Sequence, residues 1–373
     1  MDNSFRIAGL AALVTAASFL GGCSGTTPSF AKPAATAGPT ATPAPTATPV
    51  ATATPATSLL ANMHTLVTIG STVDPLNGDG NPYGLAIAPV SAGLVTAGDL
   101  IVCNFNDGPT NTQGNGTTIV GLHPVVGSTP YRIAQGSTLR GCDALSTDPT
   151  GNIWTADFNA NDNAEYSPSG TLLDPFSASA TFAWSGPWGE IYAPNSHGPS
   201  AFYVSNAGDG SVDRLALSGT HVVSFTPIAS GFSVNHGQPG SIFAPAGLTY
   251  DPALDTLYVV DTNANTVSAI AKVSTLTAPS AASVKIIASG APLNGPLSAA
   301  LLPNGNVIVG NTLDPDGTNL LVEVSPTAGI LTTKNVDTGP AGALFGIVAT
   351  GTVSAPKIFL NDDNTNSLLL LSN

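Results

Sequence analysis

The chain has 373 residues, of which 9% are charged, with nine Lys and Arg against 23 Asp and Glu and a formal net charge of −14. An average domain carries roughly 25% charged residues, and this acidic, charge-poor balance argues against nucleic acid or an anionic membrane surface as a partner, since both select for basic side chains. Forty glycines and 31 prolines point to many tight turns and, over part of the chain, to a segment too poor in large apolar residues to pack.

In chain order, Ile7 to Leu20 form an apolar run of 14 residues, preceded by Arg6 and followed by Gly21-Gly22-Cys23. The run is short for a membrane span, which takes about 20 residues, and has the form of an export signal. Leu20-Gly21-Gly22-Cys23 resembles the lipobox of bacterial lipoproteins. That resemblance implies removal of residues 1–22 and lipidation of Cys23, the plainer alternative being ordinary signal cleavage nearby. Ser24 rather than Asp follows the Cys, so the same resemblance favours the outer membrane as the site of anchoring in the bacterial envelope. Residues 23–61 are then a Pro/Thr/Ala tether, with stretches such as Pro39-Thr-Ala-Thr-Pro-Ala-Pro. Where such a chain is polyproline II it spans about 3.1 Å per residue.

Residues 62–373 read as one repeated domain. Thr65-Leu-Val-Thr-Ile69 is a β run with no unit of its own. Six apolar runs then end in Asn or Asp at Asn104, Asp157, Asn206, Asp261, Asn311 and Asn361, separated by 53, 49, 55, 50 and 50 positions. Each unit opens with a small-residue turn and an apolar stretch, such as Pro82-Tyr-Gly-Leu, Pro187-Trp-Gly-Glu or Pro245-Ala-Gly-Leu. Alternation and turn chemistry at these separations give four antiparallel strands per unit. The fold class is all-β: a six-bladed β-propeller. A ring must close or leave sheet edges unpaired, so the Thr65–Ile69 run is expected to complete the last blade beside Leu368-Leu-Leu-Leu371.

The motifs Pro-x-Gly-Leu, Asn152-Ile-Trp-Thr-Ala-Asp157 and Ser167-Pro-Ser-Gly170 resemble NHL repeats and the blades of virginiamycin B lyase; Leu257-Tyr-Val-Val-Asp261 resembles the YVTN surface propellers. These likenesses specify a blade well and a function poorly. Likeness to the lyase implies a His and Glu set in Pro-His-Gly blades, where this chain has Tyr83, Trp188 and Ala246. Gluconolactonase relatives imply a Glu, Asn and Asp metal set, of which only Glu190 has a counterpart here.

In a propeller the beginnings of the inner strands and the turns after the second strands share one face. Tyr83, Arg140, Trp188 and Phe345 are the ligand-binding candidates there. Glu190, in a position where other units place Leu, is the leading candidate acid; Asp143 and His236 join it as catalytic candidates. Glu190, Asp157 and Asp261 are candidate ligands for Ca²⁺ or another divalent cation, which takes oxygen donors. The alternative for the recurrent Asn and Asp residues is turn capping through side-chain-to-backbone bonds. Cys103 and Cys142 fall on the same face of adjacent blades, placing a disulfide within reach. The expected role is an envelope-anchored binding or scaffold module for a small polar ligand, glycan or envelope protein. A metal-dependent lyase or lactonase is the competing reading.

Overall fold

The structure is a computed structural model that describes residues 56–195, 197–235, 244–312 and 319–373. The segment read as an export signal, Cys23, nearly all of the segment read as a tether and His236 lie outside the described residues. The described chain forms six four-stranded antiparallel sheets, the six-bladed propeller read from the repeat.

Strand β1 (Thr65–Ser71) belongs to the last blade. Blade one contains β2 (Gly80–Ile87), β3 (Leu100–Asn106), β4 (Gln113–Leu122) and β5 (Tyr131–Gln135), and blade two contains β6 (Cys142–Thr147), β7 (Ile153–Asp157), β8 (Asp162–Tyr166) and β9 (Leu172–Asp174). Blade three is β10 (Pro187–Ala193), β11 (Ala201–Asn206), β12 (Ser211–Ser218) and β13 (His221–Ala229). Blade four is β14 (Pro245–Asp251), β15 (Thr256–Asp261), β16 (Thr266–Ala271) and β17 (Val284–Ser289). Blade five is β18 (Pro296–Leu301), β19 (Val307–Asn311), β20 (Asn319–Ser325) and β21 (Gly329–Asp337). Blade six has β22 (Ile347–Thr352), β23 (Ala355–Asp362) and β24 (Ser367–Ser372), with β1 as its outer strand in the order β1-β24-β23-β22. Contacts run between inner strands of successive blades and return from β22 to β2, so the ring is closed.

In blades one to five the second strands are buried along their whole length because both faces pack on neighbouring blades; β3, β7, β11, β15 and β19 expose nothing. That double burial is why these runs read as continuous Val, Ile, Leu and aromatic residues. The blades approach closely at a small residue two positions into the inner strands. A Cβ on Gly189 would lie 1.9 Å from the Ala246 carbonyl oxygen, and one on Gly346 would lie 2.3 Å from that of Tyr83. Neither position admits a larger side chain.

Two details depart from the reading of the repeat. In blade six, Asp362 pairs with Ser367 as Asp157 pairs with Asp162 and Asp261 with Thr266. The turn residue is therefore Asp362, and Asn361 faces the other side, where its amide donates to the carbonyls of Tyr83 and Gly84 at 3.1 Å. Asp occupying two successive positions after Asn361 masks this register in the sequence. Secondly, residues 58–61, read as the end of the tether, pack into the head together with residues 62 and 63. Leu59, Leu60 and Met63 are buried between blades five and six against Leu302, Leu321, Leu344 and Ile358. Glu323, itself fully buried, accepts hydrogen bonds from the Ser58 hydroxyl and the backbone amides of Leu59 and Leu60.

Candidate functional site

The central channel is lined by the six inner strands and encloses a cavity of about 340 Å³. Register sets its layers. Pro82, Cys142, Pro187, Pro245 and Pro296 pair with Asn104, Asp157, Asn206, Asp261 and Asn311. The residues immediately after them form one ring: Tyr83, Asp143, Trp188, Ala246 and Leu297, with Phe345 supplied by blade six. Two positions further on stand Leu85, Leu145, Glu190, Leu248 and Ala299. Asp143 thus replaces an apolar member of the first ring, and Glu190 replaces one of the second.

The first ring closes the channel where the inner strands begin, which we term the leading face. Tyr83 is stacked between Phe345 and Phe105, with centroids 3.8 and 4.1 Å away, and Trp188 meets the edge of Phe158 at 5.8 Å. All five rings are buried. Near the other ends of the inner strands, Ile87, Thr147, Tyr192, Leu301 and Ala349 are partly exposed, so the channel opens at this trailing face. Tyr83, Trp188 and Phe345 do come together as the sequence suggested, but as the floor of the cavity rather than as a ring presented on the leading face. Arg140 is not among the residues lining the cavity; it is exposed, 3.4 Å from the Asn115 side-chain oxygen.

Asp143 and Glu190 both line the cavity and are each 5% exposed. None of their four carboxyl oxygens meets a hydrogen-bond donor among the described residues. Burial raises the Asp143 carboxyl well above the usual carboxylate range. Burial pushes Glu190 up to about 8, and the Asn163 side chain, near it but outside hydrogen-bond geometry, offsets part of the effect. Among the described residues, no Lys, Arg or His lines the channel. At neutral pH Glu190 is therefore largely protonated, able to donate a hydrogen bond or to ionise when a positive charge arrives.

Behind Glu190 lies a second layer of oxygens on blade two. Asp157 is fully buried, and its carboxyl is raised by burial and by the charges of Asp162 and Glu190. The Thr155 hydroxyl donates to its Oδ2 at 2.5 Å, while its Oδ1 and the Asn163 Oδ1 have no donor. Asp261 is a different kind of residue: its oxygens accept the backbone amides of Ser233 at 2.8 Å and Ala264 at 3.0 Å. Asn206 and Asn311 likewise accept backbone amides from the preceding connections. Turn capping accounts for these three, whereas Asp157 keeps an uncommitted oxygen.

Among the described residues, no three His, Cys, Asp or Glu side chains are grouped to hold a metal ion. The set Glu190, Asp157 and Asp261 therefore does not fit a metal centre. Cys103 and Cys142 form a disulfide with Cα atoms 6.1 Å apart. It joins blade one to blade two beside Asp143.

Asn163 and the floor aromatics Phe105 and Phe158 were not singled out from sequence. Signals for them exist in the repeat. Asn163 is polar where the register places Val212, Val267 and Leu368, and Phe105 and Phe158 each follow a turn Asn or Asp.

No protein-family model matches the chain, and no curated protein does. Solved structures share the fold. A gluconolactonase from Xanthomonas campestris is 14% identical with a TM-score of 0.59, covering 84% of this chain and 90% of that one. A catalytically inactive virginiamycin B lyase from Staphylococcus aureus, crystallised with quinupristin, is 12% identical with a TM-score of 0.53, covering 83% and 99%. A chain of a nidogen–laminin complex is 15% identical with a TM-score of 0.52, covering 73% and 85%. At these identities the likeness concerns the propeller fold, which hosts enzymes and binding proteins alike.

Proposed function

We propose that the protein is an envelope-anchored binding module whose central channel takes up a small polar ligand carrying an amine. The observation that carries this reading is the pair of buried carboxyl groups, Asp143 and Glu190, that line the cavity without a partner. Buried polar groups are nearly always hydrogen-bonded, and an orphaned one costs on the order of 1–3 kcal/mol. A protonated amine would repay that cost by hydrogen-bonding to either carboxylate. The aromatic floor adds attraction for a cation lying over Trp188. The cavity volume falls within the roughly 300–1,000 Å³ of small-molecule sites.

The anchor in this reading is Cys23, and the Pro/Thr/Ala segment is the tether that holds the head in the bacterial envelope. A metal-assisted lactonase or lyase draws its support from the fold likeness alone, because the acids do not converge on a metal position.

Calorimetric titration with simple amines, amino sugars and their neutral sugar counterparts tests the proposal. Saturable binding of an amine, weakened at least tenfold by Glu190→Gln and by Asp143→Asn, is the expected result. Equal affinity for the neutral counterpart, binding unaffected by either substitution, or no binding across the set would refute it.

A further inference from the structure

The two faces of the propeller differ in charge as well as in closure. Antiparallel order places the turns between first and second strands, and between third and fourth, on the trailing face. Those turns contain four carboxylates, Asp99, Asp148, Asp251 and Asp255, each at most 6% exposed. All four accept local hydrogen bonds: Asp99 from Thr96, His123 and Tyr131, Asp148 through Oδ1 alone from Thr150 and Asn152, Asp251 from Ala253 and Leu254, and Asp255 from Tyr250 and Ser274. Exposed charge on this side comes from Lys272 in a turn, with Lys285, Lys357 and the single carboxylate Asp174 within the first three residues of adjoining strands. The leading-face turns are the reverse, with Asp107, Asp209, Asp337 and Asp363 at least partly exposed and Arg140 as their exposed cation among the described residues.

Most exposed aliphatic side chains in turns lie on the cationic side, with Leu76 the exception on the leading face. Val90, Leu94, Val125, Val126, Leu254 and Val353 lie in trailing-face turns and are 38–70% exposed. They are spread over blades one, four and six rather than gathered in one patch. The chain also joins the head on this face. The Thr57 carbonyl accepts hydrogen bonds from the side chains of Asn304 and Asn306, in the turn between β18 and β19.

We propose that the trailing face rests on a lipid bilayer, so that the channel opens toward the membrane and receives its ligand from that side. Isolated aliphatic tips among lysines suit the headgroup boundary, where apolar groups insert shallowly and cations meet anionic phosphates. A protein partner would favour a contiguous apolar patch instead. The chain-wide acidity is no obstacle, because the exposed turn carboxylates lie on the opposite face and Asp174 is outnumbered by the three lysines. The tether does not impose this orientation: 34 residues from Cys23 to Thr57 can reach about 100 Å when extended. The inference rests on the anchored reading only for delivery of the head to the membrane.

Hydrogen exchange of the full chain on vesicles of phosphatidylethanolamine and phosphatidylglycerol provides the test. Amides in 89–98, 124–129, 252–255 and 352–354 should exchange several-fold more slowly than in buffer, while those in 108–112, 207–210 and 363–366 keep their rates. The double substitution Leu94→Asp, Val126→Asp, on two exposed tips, should abolish the protection at its own loops. Intact mass reports separately on acylation of Cys23. A Cys23→Ser chain with a polyhistidine insert after residue 23, held on nickel-chelating vesicles, should give the same footprint whether or not the native chain is acylated. Protection of the leading-face turns, or no vesicle-dependent protection in the held chain, overturns the proposal.

Discussion

Glu190 illustrates how one residue can work against the fold that holds it. Its carboxyl is raised to about 8 by burial, whereas an unfolded Glu titrates near 4.3. Between those values the native state holds a proton that the unfolded state has lost, so stability falls as pH rises through this window. Glu190→Gln removes the titration and keeps the shape. Its melting temperature should match the parent near pH 4 and exceed it by about 2–4 °C at pH 8, on the scaling for a domain of this size. Equal melting temperatures at pH 8 would show that Glu190 already has a partner there. Trp188→Ala opposes this case, since it empties a buried ring position and should cost about 3–5 kcal/mol, measured by denaturant unfolding.

At the scale of elements, adjacent blades are joined by residues one step before the turn position. Cys103 bridges to Cys142, the Ser205 hydroxyl donates to the Ala246 carbonyl at 2.8 Å, and Asn361 reaches the carbonyls of Tyr83 and Gly84. The disulfide closes a separation of 39 residues; replacing both cysteines by Ala should lower unfolding free energy by about 2–4 kcal/mol. The segment 58–63 is held differently, through Glu323. Asn306 also donates to that carboxylate at 2.7 Å, so Glu323→Ala strands several buried donors at once. Limited proteolysis should then cut between residues 57 and 64 far faster than in the parent, with the rest of the head still resistant. A cleavage rate unchanged from the parent would mean that apolar packing alone seats the segment.

Over the whole molecule, raised carboxyls outnumber lowered ones. Glu165, Asp213 and Asp363 are each pushed up to about 7, chiefly by burial, and they add to Asp143 and Glu190. Asp74 runs the other way: hydrogen bonds and charge from Arg132 outweigh its desolvation and lower its carboxyl. Its contribution is present above the unfolded value and is lost as pH falls through the folded one. The head should therefore be most stable near pH 5, with a melting temperature that declines toward pH 8. A melting temperature that climbs steadily over this range would contradict the assignment of these groups as protonated. Closure operates at the same scale. β1 pairs with β24 from Thr65 to Ser71, and deleting residues 62–70 should abolish cooperative unfolding, because it exposes a full sheet edge and opens the ring.

The sequence by itself determined the number of blades, the strand count in each, the closing role of Thr65–Ile69 and the cysteine pairing. All of these follow from a period of about fifty residues, and repeated local patterns need no knowledge of distant contacts. It also marked Asp143 and Glu190, since each breaks an apolar column of the repeat. Only the tertiary structure decided which end of the channel is open and which turn acids are spent on backbone amides. Those outcomes depend on how Phe345 and Phe105 sandwich Tyr83 across blades, and on which amides the connecting loops bring to Asp261 but not to Asp157. Such pairings are fixed when the ring closes, and no local pattern records them.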